Sequence, residues 1–147
     1  MESTIKNIMA WVDANISAYL ANPVDYSISE GNVALCVVEK DGTVHGKMYG
    51  EDMIRKRNSF HYAWKKASQV WITGIDTGEF ERMVFNSEID EYAYGINRPD
   101  YVGWIGGQPV KLDNGEVVAV GFSGFRGETD IRIIVDALQR IRNGQGR

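Results

Sequence analysis

Two apolar runs near the end of the chain, separated by a short polar turn, form its clearest pattern of hydrophobic and polar positions. The turn is Asp113-Asn114-Gly115, and the run after it, residues 117–123, is almost wholly apolar. Asn-Gly between strand-like runs signals a hairpin because both residues tolerate a positive φ. We therefore predict a β-hairpin whose second strand lies in the middle of a sheet covered on at least one face.

A glycine-rich turn at residues 124–127 leads from this strand into an amphipathic helix. Apolar residues recur there at helical spacing: Ile131, Ile134, Val135, Leu138 and Ile141. Glu128 and Asp130 stand in the first turn, where carboxylates complement the helix dipole. The free N–H groups of such a helix start also favour an anion, although the glycine spacing is not that of a phosphate loop.

The first half of the chain alternates helical and strand-like patterns. Apolar spacing predicts a first helix over residues 1–22, stopped by Pro23. Residues 33–38 and 44–49 are predicted strands, joined by a turn at Asp41-Gly42. A long helix to about residue 73, a short helix around Phe80 and a tyrosine-rich loop at residues 86–102 follow. We expect the tail, residues 144–147, to be disordered.

Hairpins without intervening crossovers favour an antiparallel sheet with helices packed against it, which is the α+β class. The 147 residues suffice for one core, so we expect a single domain over residues 1–147. A formal charge of −4 gives no electrostatic reason to expect a nucleic-acid partner. The sequence has no signal-peptide pattern and no apolar run long enough to span a bilayer, so we expect a cytoplasmic protein without a membrane partner.

The order of glycines in the C-terminal half resembles that of the GlcG/HbpS-like haem-degrading family. Its members typically have a Gly-Gly-x-Pro-Val turn, a hairpin, an apolar strand ending in Ser-Gly and a helix opened by an acidic residue. Here these positions are Gly106, Gly107, Pro109, Val110, Gly121, Ser123, Gly124 and Asp130. Lys66-Ala67, followed by Gly74 and Thr77, is similar to a second motif of that family.

This resemblance implies a profilin-like, PAS-like architecture with a five-stranded antiparallel sheet. It also implies a small-molecule ligand, with haem as a possible cofactor, and a homo-oligomer. The aromatic content, with four Trp and seven Tyr, agrees with an oligomer or with an aromatic-lined pocket and does not choose between them.

Histidine is scarce, with only His45 and His61, and Cys36 is the lone cysteine. No cluster of His, Cys and carboxylates has metal-ligand spacing, so we predict no metal site. His61 is an acid–base group, a single axial haem ligand, or an exposed helix residue without a role. His45 is expected at the surface, and Cys36 is expected to be buried within its apolar strand.

Basic residues are dense in the long helix: Arg55, Lys56, Arg57, Lys65 and Lys66. Arg55 and Arg57 either hold a carboxylate, a haem propionate or a phosphate, or form a solvated helix face. The resemblance places a lysine at Lys66. Asp130 then either neutralises the start of the last helix or is a site carboxylate opposite Lys66.

We expect a ligand pocket between the long helix, the loop at residues 92–104 and the paired glycines Gly106 and Gly107. Its aromatic walls would be Tyr92, Tyr94 and Trp104. The paired glycines either admit a ligand close to the backbone or form the bend before a strand.

Two functions follow from these residues and from the resemblance. One is an oligomeric small-ligand-binding protein of the haem-binding type. The other is a lyase on a small aromatic acid such as hydroxylaminobenzoate, which some relatives convert to a catechol acid with loss of ammonia. Lys66 or His61, with Asp130, would then move protons, and no cofactor would be required. A structural assembly module that binds neither ligand is a third interpretation.

Overall fold

The computed structural model describes residues 2–97 and 100–144, which form five α-helices and one four-stranded sheet. The helices are α1 (Glu2–Leu20), α2 (Pro23–Ser29), α3 (Met53–Thr73), α4 (Thr77–Phe85) and α5 (Gly127–Arg142). The strands are β1 (Val33–Val38), β2 (Val44–Tyr49), β3 (Gly107–Lys111) and β4 (Val117–Ser123). The predicted α+β class is therefore confirmed.

The sheet is antiparallel, with the strand order β2-β1-β4-β3. Both predicted hairpins are present, β1 with β2 and β3 with β4, and β4 lies in the interior of the sheet as its apolar sequence indicated. The described residues form four strands where five were expected. The stretch before β3 binds a helix instead of a strand, because Gln69 of α3 donates to the Val102 carbonyl and accepts from its N–H, both at 2.9 Å.

Helices cover both faces of the sheet, because alternate strand residues point to opposite sides. On one face, α1 and α5 pack against the larger apolar core, which contains Ile5, Val12, Leu35, Val120, Phe122 and Ile134. On the other face, α3 packs on a core of small side chains, which contains Ala34, Cys36, Ala63, Ala67 and Ala119. Cys36 is fully buried, as its apolar neighbours indicated.

The small side chains allow α3 to approach the sheet closely. At Gly121 of β4, a Cβ atom would overlap the carbonyl oxygen of Ala63 and would lie 2.8 Å from the amide nitrogen of Ala67. Glycine is required there because the neighbouring atoms belong to the helix backbone and cannot rotate away. This close approach brings the buried face of α3 to the end of β4.

The N-terminal region differs from the sequence-based expectation. Pro23 was expected to stop the first helix, but α1 already ends at Leu20 and Pro23 opens the separate helix α2. Asn22 caps α2 by accepting hydrogen bonds from the N–H groups of Val24 and Asp25. Proline suits a first helical position because its missing N–H would have no helical partner there.

Two further expectations concern the surface and the tail of the protein. None of the helices in residues 2–97 and 100–144 is long and apolar enough to cross a membrane. Of the tail that was predicted to be disordered, residues 145–147 lie outside the described residues.

Candidate functional site

A cavity of about 660 Å³ lies at the end of the sheet where β4 stops and α5 begins. Its walls come from α3, from residues 104–105, from the turn at residues 123–127 and from the end of α2. Ligand pockets in proteins typically measure about 300–1,000 Å³. The cavity therefore has room for a small organic ligand.

Two charged residues that line this cavity are almost completely buried: Lys66 of α3 and Asp130 of α5, each only 2% exposed. The Lys66 ammonium donates to the carbonyl oxygen of Phe122 at 3.0 Å and to Asp130 Oδ2 at 3.4 Å. Asp130 Oδ1 accepts from the backbone N–H of Phe125 at 3.0 Å. These contacts join α3, β4 and α5 at one point, and they place the carboxylate opposite the lysine.

Burial shifts both groups of this pair toward their neutral forms. It raises the pKa of Asp130 to about 7, although the charge of Lys66 and the hydrogen bond from Phe125 oppose the shift. It also lowers the pKa of Lys66, against the attraction of Asp130. A carboxyl group that titrates near neutral pH can give and accept protons under physiological conditions.

The paired glycines make room for Lys66 and do not line the cavity. Gly106 has a φ of +125°, and a Cβ atom there would lie 2.7 Å from both Lys66 Nζ and the Phe122 carbonyl oxygen. At Gly107, a Cβ atom would lie 2.7 Å from Thr77 Cγ2 and 3.0 Å from the Lys66 carbonyl oxygen. These two glycines thus permit α3 and its lysine to approach the strand, and they also form the bend that opens β3.

Three basic side chains and one acidic side chain line the cavity among the described residues: Arg55, Arg57, Lys66 and Asp130. Arg55 is occupied, since it donates to the Ile28 carbonyl at 2.8 Å and pairs with Glu30 at 3.4 Å. Arg57 forms no ion pair within the part of the chain that the structure describes. The cavity is therefore cationic although the whole chain carries a net charge of −4.

An aromatic wall stands beside these cations. Tyr62 of α3 and Trp104 line the cavity, and their ring centroids are 5.2 Å apart. Trp104 is 61% exposed, so most of its ring surface is free to contact another molecule. Gln69, through its two hydrogen bonds to Val102, anchors the segment that carries Trp104.

Besides the paired glycines, three more predicted site residues lie outside the lining of this cavity. Tyr92 is largely exposed on the loop, and Tyr94 packs edge-on against Phe80 of α4 with ring centroids 6.2 Å apart. His61 is exposed on α3 and contacts the edge of the Tyr62 ring. The cavity thus brings together Arg55, Arg57, Lys66, Trp104 and Asp130 from the set of candidates that the sequence indicated.

The described residues contain no group of three or more His, Cys, Asp or Glu side chains that could hold a metal ion. His45 pairs with Glu39 at 2.7 Å on the hairpin of β1 and β2, away from the cavity.

Comparison with known proteins identifies the family of this chain. The sequence matches the family described as "Haem degrading protein HbpS-like" over residues 27–139, which is more than half of the chain. The protein belongs to this HbpS-like family. The resemblance seen in its glycine pattern is thereby confirmed. No curated protein matches the chain in sequence.

Solved structures with the HbpS-like fold include Klebsiella pneumoniae ORFY, with a TM-score of 0.67, 20% identity, and coverage of 95% of this chain and 88% of that one. The PduOC:heme complex has a TM-score of 0.68 and 18% identity, and the match covers 95% and 92% of the two chains. A double mutant of Streptomyces reticuli HbpS has a TM-score of 0.63 and 18% identity, with 94% and 83% covered. At these identities the similarity is one of fold.

One buried charged residue beside the cavity was missed by the sequence analysis. Asp25 of α2 is buried and accepts hydrogen bonds from the Arg126 backbone N–H at 2.9 Å, the Arg126 guanidinium and the Thr129 hydroxyl. Burial opposes ionisation, but these hydrogen bonds hold the pKa of Asp25 below its usual value. The Asn22-Pro23 pair, an N-cap followed by a first-turn proline, was the available signal for α2.

Proposed function

We propose that this cavity binds a planar, carboxylate-bearing ligand of the haem or tetrapyrrole type. The observation that carries the proposal is the combination of a cationic cavity of about 660 Å³ with the wall of Tyr62 and Trp104. Flat aromatic surfaces match the face of a conjugated ring, and an unpaired guanidinium binds a carboxylate through two parallel hydrogen bonds. The family description and the heme complex of PduOC support the same ligand class.

The residues of the cavity fit such a ligand in specific ways. Arg57, which forms no ion pair with a described residue, would bind a propionate, and Trp104 would contact the macrocycle. Among the described lining residues there is no His, Cys or Met, and Tyr62 has the one phenol. Tyrosine is a known haem-iron ligand, so coordination by the protein would fall to Tyr62 and not to the exposed His61. Haem, when bound, would supply the iron chemistry.

The test is a haemin titration of the purified protein, followed by Soret absorbance. We expect a saturable shift, an altered band position in Tyr62→Phe, and about tenfold or more weaker binding in Arg57→Gln, because a charge-assisted hydrogen bond is lost. His61→Ala is the matched control on the same helix and should bind as the unsubstituted protein does. If haemin causes no Soret shift, or if the shift disappears only in His61→Ala, the proposal that haem binds in this cavity through Tyr62 is wrong.

A second candidate function, a lyase on a small aromatic acid such as hydroxylaminobenzoate, is favoured by the buried pair of Lys66 and Asp130. A group with a pKa of about 7 beside an amine can take a proton at one step and return it at the next. The basic residues that line the cavity would attract the substrate carboxylate, and the ring would lie against Trp104.

Ammonia release from hydroxylaminobenzoate, measured beside the haemin titration, separates the two candidates. The lyase function predicts turnover that is lost in Asp130→Asn while aromatic acids still raise the melting temperature. Haemin binding without ammonia release supports the first function. If neither ligand binds or stabilises the protein, the interpretation as a structural assembly module remains.

A further inference from the structure

Ser123, the last residue of β4, is a mostly buried residue that lines the cavity and has no hydrogen-bond partner for its hydroxyl among the described residues. Ser123 is 8% exposed and lines the cavity, and its side chain forms no hydrogen bond with any residue in the ranges 2–97 and 100–144. A hydroxyl that lines a cavity and has no protein partner is available to a ligand as both a donor and an acceptor. The glycine motif contained this serine, but neither function proposed above assigns it a role.

A second unpaired donor lies four residues further along. Gly127, at the first position of α5, also lines the cavity, and its backbone N–H donates to no described group. The 16-residue helix α5 places the positive end of its dipole at this position. Arg126 at the N-cap forms no side-chain cap, so its side chain does not satisfy the N–H groups of the first turn.

Lys66 adds a third donor at the same place. Its ammonium has three N–H groups, of which one goes to the Phe122 carbonyl and one to Asp130. Both oxygens of Asp130 already accept hydrogen bonds, from Lys66 and from the Phe125 N–H. Hydrogen-bond donors thus outnumber acceptors at this end of the cavity. A ligand that satisfies the unpaired donors must carry hydrogen-bond acceptors.

We propose that Ser123, the Gly127 N–H and Lys66 form a subsite for the carboxylate of an aromatic acid, whose ring lies against Tyr62 and Trp104. This inference rests on the proposed function, namely that the cavity binds an aromatic ligand with a carboxylate. It specifies the part of the cavity that receives the carboxylate. A carboxylate has two oxygens in one plane with the ring, which suits three donors grouped beside a flat aromatic wall. A phosphate would bring more oxygens and more charge than these donors can satisfy.

Calorimetric titration with benzoate and with its neutral analogue benzamide tests the subsite. In Ser123→Ala we expect benzoate affinity to fall about tenfold or more, because a hydrogen bond to a charged group is lost, while benzamide affinity stays within about twofold of that of the unsubstituted protein. Ser68→Ala is the matched control, since the Ser68 hydroxyl bonds to the Lys65 carbonyl on α3 and does not line the cavity. Its benzoate affinity should be unchanged.

Several outcomes would overturn the subsite. They are no benzoate binding to the unsubstituted protein, unchanged benzoate affinity in Ser123→Ala, or an equal loss of benzoate and benzamide. Inorganic phosphate that binds more tightly than benzoate, in a manner dependent on Ser123, would also overturn the choice of a carboxylate. The haemin titration separates the two failures: haemin binding without a Ser123 effect removes only the subsite, whereas absence of both ligands removes the proposed function as well.

Discussion

At the scale of single residues, the pair of Lys66 and Asp130 dominates the site because two ionisable side chains are buried there almost completely. A lysine in a basic helical stretch is ordinarily solvated, and a first-turn aspartate ordinarily serves the helix dipole. Here the two side chains meet at 3.4 Å with 2% exposure each. Their protonation is therefore set by burial and by each other, and it should be visible in the pH dependence of stability.

Asp130→Asn should change that pH dependence in a defined direction. The unfolded chain ionises Asp130 at about pH 4, whereas the folded protein retains the proton until about pH 7, with Lys66 opposing this shift and Asp25 reinforcing it. Between these values the folded state binds more protons, so its free energy of unfolding falls as pH rises. Relative to Asp130→Asn, the unsubstituted protein should lose up to about 1.4 kcal/mol per pH unit across this window.

Urea denaturation of both proteins at several pH values between about 4 and 7 measures this difference. Glu128→Gln is the control, because Glu128 lies in the same helical turn but has an exposed side chain paired with Arg126. Its stability difference from the unsubstituted protein should change little over the window. Parallel curves for Asp130→Asn and the unsubstituted protein would mean that Asp130 ionises as an ordinary surface carboxylate.

At the scale of elements, the distance between α3 and the sheet decides whether the site exists. The helix carries Arg57, Tyr62 and Lys66, and most of the strand positions beneath it have small side chains. Gly121 has the tightest backbone contact, with atoms of Ala63 and Ala67. A larger residue at this position must push the helix away from β4.

Gly121→Ala should therefore destabilise the protein by about 1–3 kcal/mol or more, since an extra methyl group is forced into a packed interface. Ligand binding should weaken as well, because Lys66 moves with the helix. Chemical denaturation and the haemin titration measure the two effects. Gly42→Ala, in the open turn between β1 and β2 with a φ of +92°, is the control and should cost about 1 kcal/mol without any effect on binding. Equal effects of the two substitutions would rule out the packing explanation.

At the scale of the whole molecule, an apolar strip crosses the outer side of α3 and the edge strand β2. It consists of Val44, Met48, Trp64 and Trp71, each between 45% and 48% exposed. Val44 and Met48 pair with Val38 and Ala34 across the hairpin, so their side chains share the α3 face of the sheet. Exposed apolar strips beside an open strand edge are typical of protein–protein contacts.

We predict that the protein forms a homo-oligomer through this strip and that Trp64→Glu weakens the assembly. A buried charge in an apolar interface is strongly unfavourable, so the substitution should lower the mass measured by light scattering at micromolar concentration. Phe85→Glu is the control, since Phe85 is 68% exposed at the end of α4 and lies outside the strip. A monomeric mass for the unsubstituted protein would contradict the prediction.

Much of the fold followed from local signals. The turns at Asp41-Gly42 and Asp113-Asn114-Gly115 set both hairpins, and the apolar sequence of β4 indicated an interior strand. Two predictions did not follow from local signals. The fifth strand was expected only from the family resemblance, and α2 was missed because Pro23 was interpreted only as a stop signal. Neither the bonding of Gln69 to Val102 nor the role of Asp25 has a local signature, since each joins residues far apart in the chain.

The sequence by itself determined both hairpins, every helix except α2 and the candidate charges, because turn chemistry and hydrophobic periodicity act between near neighbours. Only the tertiary structure decided which candidates meet. It placed Lys66 against Asp130 and Arg57 near Trp104, and it left His61, Tyr92 and Tyr94 outside the cavity. The reason is that burial and protonation depend on the close packing of α3 against Gly106, Gly107 and Gly121, which is a property of distant segments brought together.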